Sequence, residues 1–331
     1  MPKTLLLLSY GAPECKDDVL PFLRNVLAGK NVPEERLQKA AQKYYEVGSQ
    51  TGSFSPLNAE CRELIAGILQ AAADNGEKPD LYWGNLFWHP LLVDTVAEMA
   101  HDGVTEAVCF ATSAFDSPQG NQRYLDALCA ARNEVEKISG LSPPVITKLP
   151  LPYIEPLFIE SQTDVLLHAL AYSTLEQEPF QTSSEPEESD ELISDTVILF
   201  SAHSIPVEDA RHSPYVAQLN ECCRETIAKV GRVPWELVFQ SRSGSPTEPW
   251  LEPDIKNRIK KIAAEGRYRS VVVVPIGFFC ENFETVYDLD LEVGSLCDEA
   301  GLGYLRAPAV GASPKICRMI YDLMRRTGCG G

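Results

Sequence analysis

Short apolar runs separated by stretches of helical spacing constrain this chain more than any other feature. The runs are Thr4–Ser9, Leu81–Trp83, Ala107–Ala111, Val145–Leu149, Thr196–Phe200, Leu237–Phe239 and Val271–Pro275. Helical spacing covers Asp18–Leu27, Ala59–Ala73, Leu91–Ala100, Gln122–Ile138, Thr163–Tyr172, Pro214–Val230 and Asp254–Ala264. A strand with one wet face alternates apolar and polar residues, whereas Val271-Val272-Val273-Val274 does not alternate at all. Such a strand is covered on both faces, and strands alternating with helices join into parallel sheets. The expected class is α/β.

Two halves stand out. Leu5-Leu6-Leu7-Leu8-Ser9-Tyr10-Gly11-Ala12-Pro13 opens one, and Val197-Ile198-Leu199-Phe200-Ser201-Ala202-His203-Ser204-Ile205-Pro206 opens the other. Each is an apolar strand, a serine and a small polar turn ending at proline. Between them, Leu175–Asp195 is acidic and nearly free of large apolar residues, which reads as a solvated, mobile loop. The expected organisation is one domain over residues 1–160, a second over 161–311 carrying that loop, and a C-terminal helix and tail over 312–331 packing back on the body.

A net charge of −18 over 331 residues argues against nucleic acid or anionic lipid as the main partner. Leu5–Leu8 is far shorter than the roughly 20 apolar residues a bilayer demands, and Met1-Pro2-Lys3 before it makes a poor signal peptide. A cytoplasmic location is expected. The ten cysteines are then reduced thiols, and with no C-x-x-C among them a structural zinc site is not expected.

In open α/β sheets, ligands bind beyond the carboxyl ends of the strands. At those ends stand Tyr10, Trp88-His89-Pro90, Thr112-Ser113-Ala114-Phe115, His203, Gln240-Ser241-Arg242, and then Glu281 and Glu284. Polar groups mixed with aromatic ones suit a flat ligand of mixed polarity. Among the histidines, His101 and His168 fall inside helical stretches and His212 in a polar loop. His203 alone ends a buried strand, where an imidazole titrating near neutrality can take up protons. Glu284, Asp288 and Glu292 recur at every fourth residue, forming an acidic stripe on a helix, and hard carboxylate oxygens in a row suit a hydrated divalent cation. Like charges at that spacing repel and require compensation. No G-x-G-x-x-G, P-loop or G-x-S-x-G pattern follows a strand, which sets aside nucleotide-binding and elbow-serine hydrolase readings.

Taken in order along nearly the whole chain, these segments resemble the ferrochelatase family. Ile198–Pro206 is similar to the family's segment around its histidine. Phe279–Glu292 is similar to its acidic segment, usually S-D-H-hydrophobic-E-x-hydrophobic-Y-D/E-x-D. Ser9–Pro13, Trp83–Leu91, Phe239–Gly244 and Pro249–Asp254 resemble other family segments. The resemblance implies two Rossmann-like domains, each a parallel sheet flanked by helices, with the active-site cleft between them. It implies insertion of Fe²⁺ into a porphyrin, coproporphyrin III or protoporphyrin IX, in haem biosynthesis. It assigns His203 and Glu284 to catalysis and, with Asp288 and Glu292, to metal contact. Tyr10, which matches a tyrosine on the other macrocycle face of bacterial members, goes to the substrate with His89, Ser113, Ser241 and Arg242. Tyr10 and the lack of a hydrophobic lip favour the coproporphyrin branch.

Departures from the pattern are equally specific. Asn282 stands where the family usually has histidine, Leu86 where related chains often have arginine, and Gly48–Ser55 is longer than the usual glycine-pair turn. Some relatives hold a [2Fe–2S] cluster through three C-terminal cysteines and one from the first domain. Here the first-domain position is Asn121, and only Cys317 and Cys329 lie near the C-terminus, so no cluster is expected. No organic cofactor is needed. The expected working form is a monomer whose partners are porphyrin, Fe²⁺ and other enzymes of haem formation. Two alternatives stay open: a porphyrin-binding homologue without activity, and a class II chelatase acting on another tetrapyrrole.

Overall fold

A computed structural model describes residues 4–175, 195–242 and 247–327. Most of the acidic stretch, together with Ser243, Gly244 and Cys329, lies outside the described residues. The chain forms two compact units: the first runs to Pro152 and also takes in Cys280–Phe283 and the chain from Gly311 onward, while the second comprises Tyr153–Phe279 and Glu284–Val310.

In the first unit, β1 (Thr4–Ser9) pairs in parallel with β2 (Asp80–Asn85) and β3 (Glu106–Ala111), and β3 pairs with β4 (Val145–Lys148), giving the order β2-β1-β3-β4. In the second, β5 (Thr196–His203) lies between β6 (Trp235–Gln240) and β7 (Ser270–Val274), with β8 (Gly303–Arg306) beyond β7, giving β6-β5-β7-β8. The two sheets share one topology, and the strands that open the two halves, β1 with Ser9 and β5 with Ser201, occupy corresponding central positions.

Coverage on both faces explains the unbroken apolar runs. Every residue of β1 and of β7 is buried. Leu6 and Leu8 pack with Cys109 against α4 (Leu92–His101) and α5 (Arg123–Ser139) through Val96, Met99, Leu128 and Val135. Across the sequence, α3 (Leu57–Ala73) lies against the last helix of the chain, α11 (Pro314–Thr327). The second unit repeats the pattern: Val197, Leu199, Val271 and Val273 meet Ile255, Ile259 and Ile262 of α9 (Ile255–Glu265). Each such side chain removed from water contributes about 1.5–3 kcal/mol. The start of α9 is fixed by Asp254, whose carboxylate accepts from the Asn257 amide at 3.0 Å.

The other helices are α1 (Val19–Val26), α2 (Glu34–Thr51), α6 (Pro156–Leu175), α7 (Val207–Arg211), α8 (Tyr215–Val230) and α10 (Gly294–Ala300). Thr285–Val293 is a π-helical run with wider turns than an α-helix. Among the described residues, no helix is long and apolar enough to cross a membrane.

Candidate active site

The second unit gathers its polar residues where β5, β6 and β7 end. β5 delivers His203 as its last residue, still half-buried. The loop after β7 passes directly behind it: a side chain on Gly277 would place its Cβ 2.5 Å from that of Ala202, so only glycine lets the two backbones approach. Buried Ser201 donates to Gln240 Oε1 at 2.5 Å, and Gln240 donates in turn to the Glu284 carbonyl at 3.3 Å. These bonds tie the start of the acidic run to the strand ends.

His203 has its two ring nitrogens differentiated. Nδ1 lies 2.6 Å from the Ser204 carbonyl, which can only accept, so Nδ1 carries a proton. Nε2 faces Glu284 Oε1 at 3.4 Å. Burial alone pushes the imidazole down. The charge of Glu284, its hydrogen bond, the Ser204 carbonyl and the charge of Asp288 together outweigh burial and raise His203 to about 9. This differs from the near-neutral titration expected from the sequence, because the carboxylates come from a segment some eighty residues away. At pH 7 the His203–Glu284 pair therefore already holds a proton between its two side chains. Tyr215 on α8 donates to the His203 carbonyl at 3.0 Å, and its own hydroxyl is pushed up by burial and then by the charge of Glu284.

The acidic stripe runs along the π-helical segment, and its repulsion is relieved one residue at a time. Glu284 faces His203. Asp288 accepts from the Ser241 hydroxyl. Glu292 accepts from Lys256 at 3.0 Å, and Asp290 takes both arms of Arg306 at 2.5 and 2.9 Å. Burial and the Glu284 charge still raise Asp288 to about 6, against the lowering effect of Ser241. Among the described residues, no three histidine, cysteine or acidic side chains converge as a ligand set for a metal ion. Arg242 is exposed, donates to the Glu248 carbonyl at 2.9 Å, and borders a hollow of about 150 Å³ that Ser204, Phe239 and Leu251 also line.

The first unit supplies aromatic surface. Ser9 donates to Asn85, whose amide holds the His89 carbonyl at 3.0 Å, so the turns after β1 and β2 are fastened together. Tyr10 is thereby set against Phe87, with ring centroids 4.6 Å apart, and against Phe22 at 6.3 Å. Tyr44 stacks flat on Phe283 at 3.7 Å. Ser113 is half-buried and points its hydroxyl at the Phe115 carbonyl at 3.3 Å. His89 is exposed and meets the edge of Trp88.

The family model for ferrochelatase matches residues 2–327. The chain belongs to the ferrochelatase family. It is 38% identical over 322 residues to a ferrochelatase of Rhodopirellula baltica, spanning 97% of this chain and 85% of that one. It is 38% identical to a coproporphyrin III ferrochelatase of Nocardia farcinica, over 98% and 87% of the two chains, and 40% identical to another of Frankia alni, over 97% and 78%. Among solved structures, the cobalt complex of the sirohydrochlorin chelatase SirB from Bacillus subtilis subspecies spizizenii shares the fold, with a TM-score of 0.50 at 12% identity over 99% of this chain and 95% of that one.

Of the family-matched residues, His203, Glu284, Asp288 and Ser241 are thus linked within the second unit. Glu292 is tied instead to Lys256 on α9, and Tyr10 and Ser113 belong to the first unit. The sequence placed Gln240 at a strand end without giving it a role, and it passed over Tyr215 and Arg123. Gln240 and Tyr215 support His203 from the end of β6 and from α8. Arg123 lies over Tyr10 and Phe87, 5.9 and 4.9 Å from their ring centres. Gln240 carried a signal, as a polar residue directly before Ser241 at a strand end. Tyr215 and Arg123 sit in helical stretches and carried none.

Proposed function

We propose that His203 and Glu284 act as one proton-accepting pair in the insertion of Fe²⁺ into coproporphyrin III, a step of haem biosynthesis. The observation that carries this is the His203 ring itself: Nδ1 is committed to the Ser204 carbonyl, leaving Nε2 and Glu284 to share a proton. Insertion releases two pyrrole protons as the metal enters, so the protein must take protons up and pass them on. Since the pair holds one proton at pH 7, it accepts another only after releasing its own. Asp288, at about 6, exchanges protons readily near neutrality and senses the Glu284 charge. We assign it the next step of proton exit, and assign Glu284, Asp288 and Glu292 transient contact with the hydrated Fe²⁺ substrate. Tyr10, Ser113, His89, Ser241 and Arg242 are assigned to the porphyrin. Coproporphyrin III is favoured over protoporphyrin IX by the names of the relatives from Nocardia farcinica and Frankia alni. An inactive porphyrin-binding homologue, the alternative the sequence left open, has no observation in its favour.

The deciding experiment is anaerobic Fe²⁺ insertion into each porphyrin by wild type, His203→Ala and Asn282→Ala. A lost general base costs about 10²–10⁴-fold. His203→Ala should lose turnover on that scale while remaining folded. Asn282→Ala should lose much less, because an amide takes no proton at neutral pH. Equal losses would remove His203 from its assigned role, and faster turnover of protoporphyrin IX would reverse the substrate assignment.

We also propose that the chain builds no iron–sulfur cluster. At the first-domain position Asn121 offers an amide, bonded to Asp116 at 2.8 Å, and Cys317 is buried with its thiol directed at the Ala312 carbonyl. Protein purified anaerobically should contain no stoichiometric sulfide, and finding sulfide with matching iron would refute this.

A further inference from the structure

Two cysteines left unused by the chemistry above meet inside the first unit. Cys61 lies on α3, and Cys280 opens the stretch Cys280–Phe283. Both are buried. Their thiols share a hydrogen bond, and the Cys280 thiol also reaches the Glu60 carboxylate. Burial pushes the thiol of Cys109, also in the first unit, up to about 12. Cys61 moves the other way: the bond from Cys280 holds it below the usual thiol value despite burial. Cys280 is raised by that same bond and then by burial. One sulfur is thus the readier nucleophile while the other keeps its proton, as in an attacking and a resolving thiol. Among the described residues, no three histidine, cysteine or acidic side chains converge as a metal-ligand set. A covalent bond between the two sulfurs is the chemistry their contact offers.

We propose that Cys61 and Cys280 are a redox pair, which peroxide converts to a disulfide that fastens Cys280–Phe283 to α3 and reversibly slows metal insertion. Burial selects a small oxidant over a bulky disulfide. The Cys61 sulfur attacks one peroxide oxygen, the O–O bond breaks, and hydroxide leaves and takes up the proton Cys61 gave away. The Cys280 sulfur then attacks the sulfenic sulfur, and the hydroxyl departs as water with the Cys280 proton. Two thiols and one peroxide become one disulfide and two waters, the sulfurs losing the two electrons that peroxide gains. The stretch already rests on α3 through the Glu281 amide, 3.0 Å from Glu60, and Phe283 stacks on Tyr44. Glu284 follows at once, where the chain enters the second unit. To bond, the sulfurs must close to about 2 Å, and an ångström of misplacement can cost about 10²-fold in rate.

The test treats reduced wild type, Cys61→Ser and Cys280→Ser with hydrogen peroxide and removes the peroxide with catalase. One portion is assayed for anaerobic Fe²⁺ insertion. In the other, free thiols are alkylated and peptides are mapped without reductant. Wild type should yield a peptide linked through Cys61 and Cys280, and its turnover should fall about tenfold or more. Dithiothreitol should reverse both. The serine variants should yield no such peptide and keep the turnover they had before peroxide. No linked peptide in wild type sinks the proposal, and a linked peptide with unchanged turnover removes the control assigned to it. Equal losses in wild type and both variants would place the sensitivity elsewhere, as at exposed Cys15 or Cys129, and also overturn it. If one serine variant does not fold, the other serves, since losing either sulfur abolishes the bond.

Discussion

His203 illustrates how one backbone carbonyl and one carboxylate define a chemical group. The Ser204 carbonyl fixes the proton on Nδ1, and Glu284 sets the affinity of Nε2 for another. The consequence is a pH dependence with a definite sign. The form of the pair able to accept a proton appears as His203 loses its own, so kcat/KM should rise between pH 7 and about 9 and level off above that. Glu284→Gln removes the charge that raises His203 and leaves burial, which lowers it, as the dominant influence. The break should then move to lower pH even as the rate falls. Rate profiles of the two proteins under single-turnover conditions check this, and a break still near 9 in Glu284→Gln would assign it to another group.

At the scale of elements, legibility followed the length of the apolar run. β1 and β7 were evident because both faces are covered and no polar residue interrupts them. β8 escaped notice because Gly303–Arg306 holds only Tyr304 and Leu305 as apolar residues, whereas β4, as short and also at an edge, was readable from Val145-Ile146 and the Leu149 that follows. α2 escaped for a related reason: it buries little beyond Leu37, Ala41 and Val47, too sparse an apolar face to show a period. The acidic run was found by its spacing, but its π-helical form was not, since spacing alone does not distinguish turns of different width. Nor could sequence show how its repulsion is relieved. Ser241, Lys256, His203 and Arg306 come from the end of β6, from α9, from the end of β5 and from β8, and only the assembled sheet brings each to its own carboxylate. The site was therefore legible where a residue ends a strand, and hidden where the partner lies on a helix distant in sequence.

At the scale of the whole molecule, the first unit is built from three separated stretches of chain, and Glu60 sits where they meet. It lies on α3, accepts from the Glu281 amide at 3.0 Å, and occupies the space a side chain on Gly311 would need, its oxygen 2.7 Å from that hypothetical Cβ. Burial, followed by the charge of Glu281, raises Glu60 to about 7, against the hydrogen bonds from the Glu281 amide and Cys280. An acid whose affinity for protons is greater in the folded state stabilises the fold fully below its unfolded value, near 4.5, and that contribution is lost as pH rises through about 7. Glu60→Gln imitates the protonated form at every pH. The variant should match wild type near pH 5 and become more stable than it by pH 7.5, by roughly 1–2 kcal/mol after allowing for solvent screening. Urea unfolding followed by Trp83 and Trp88, in a background carrying Trp235→Phe and Trp250→Phe, confines the measurement to the first unit. A stability difference that stays constant from pH 5 to 7.5 would show that Glu60 is ionised throughout, and that the meeting of the three stretches tolerates its charge.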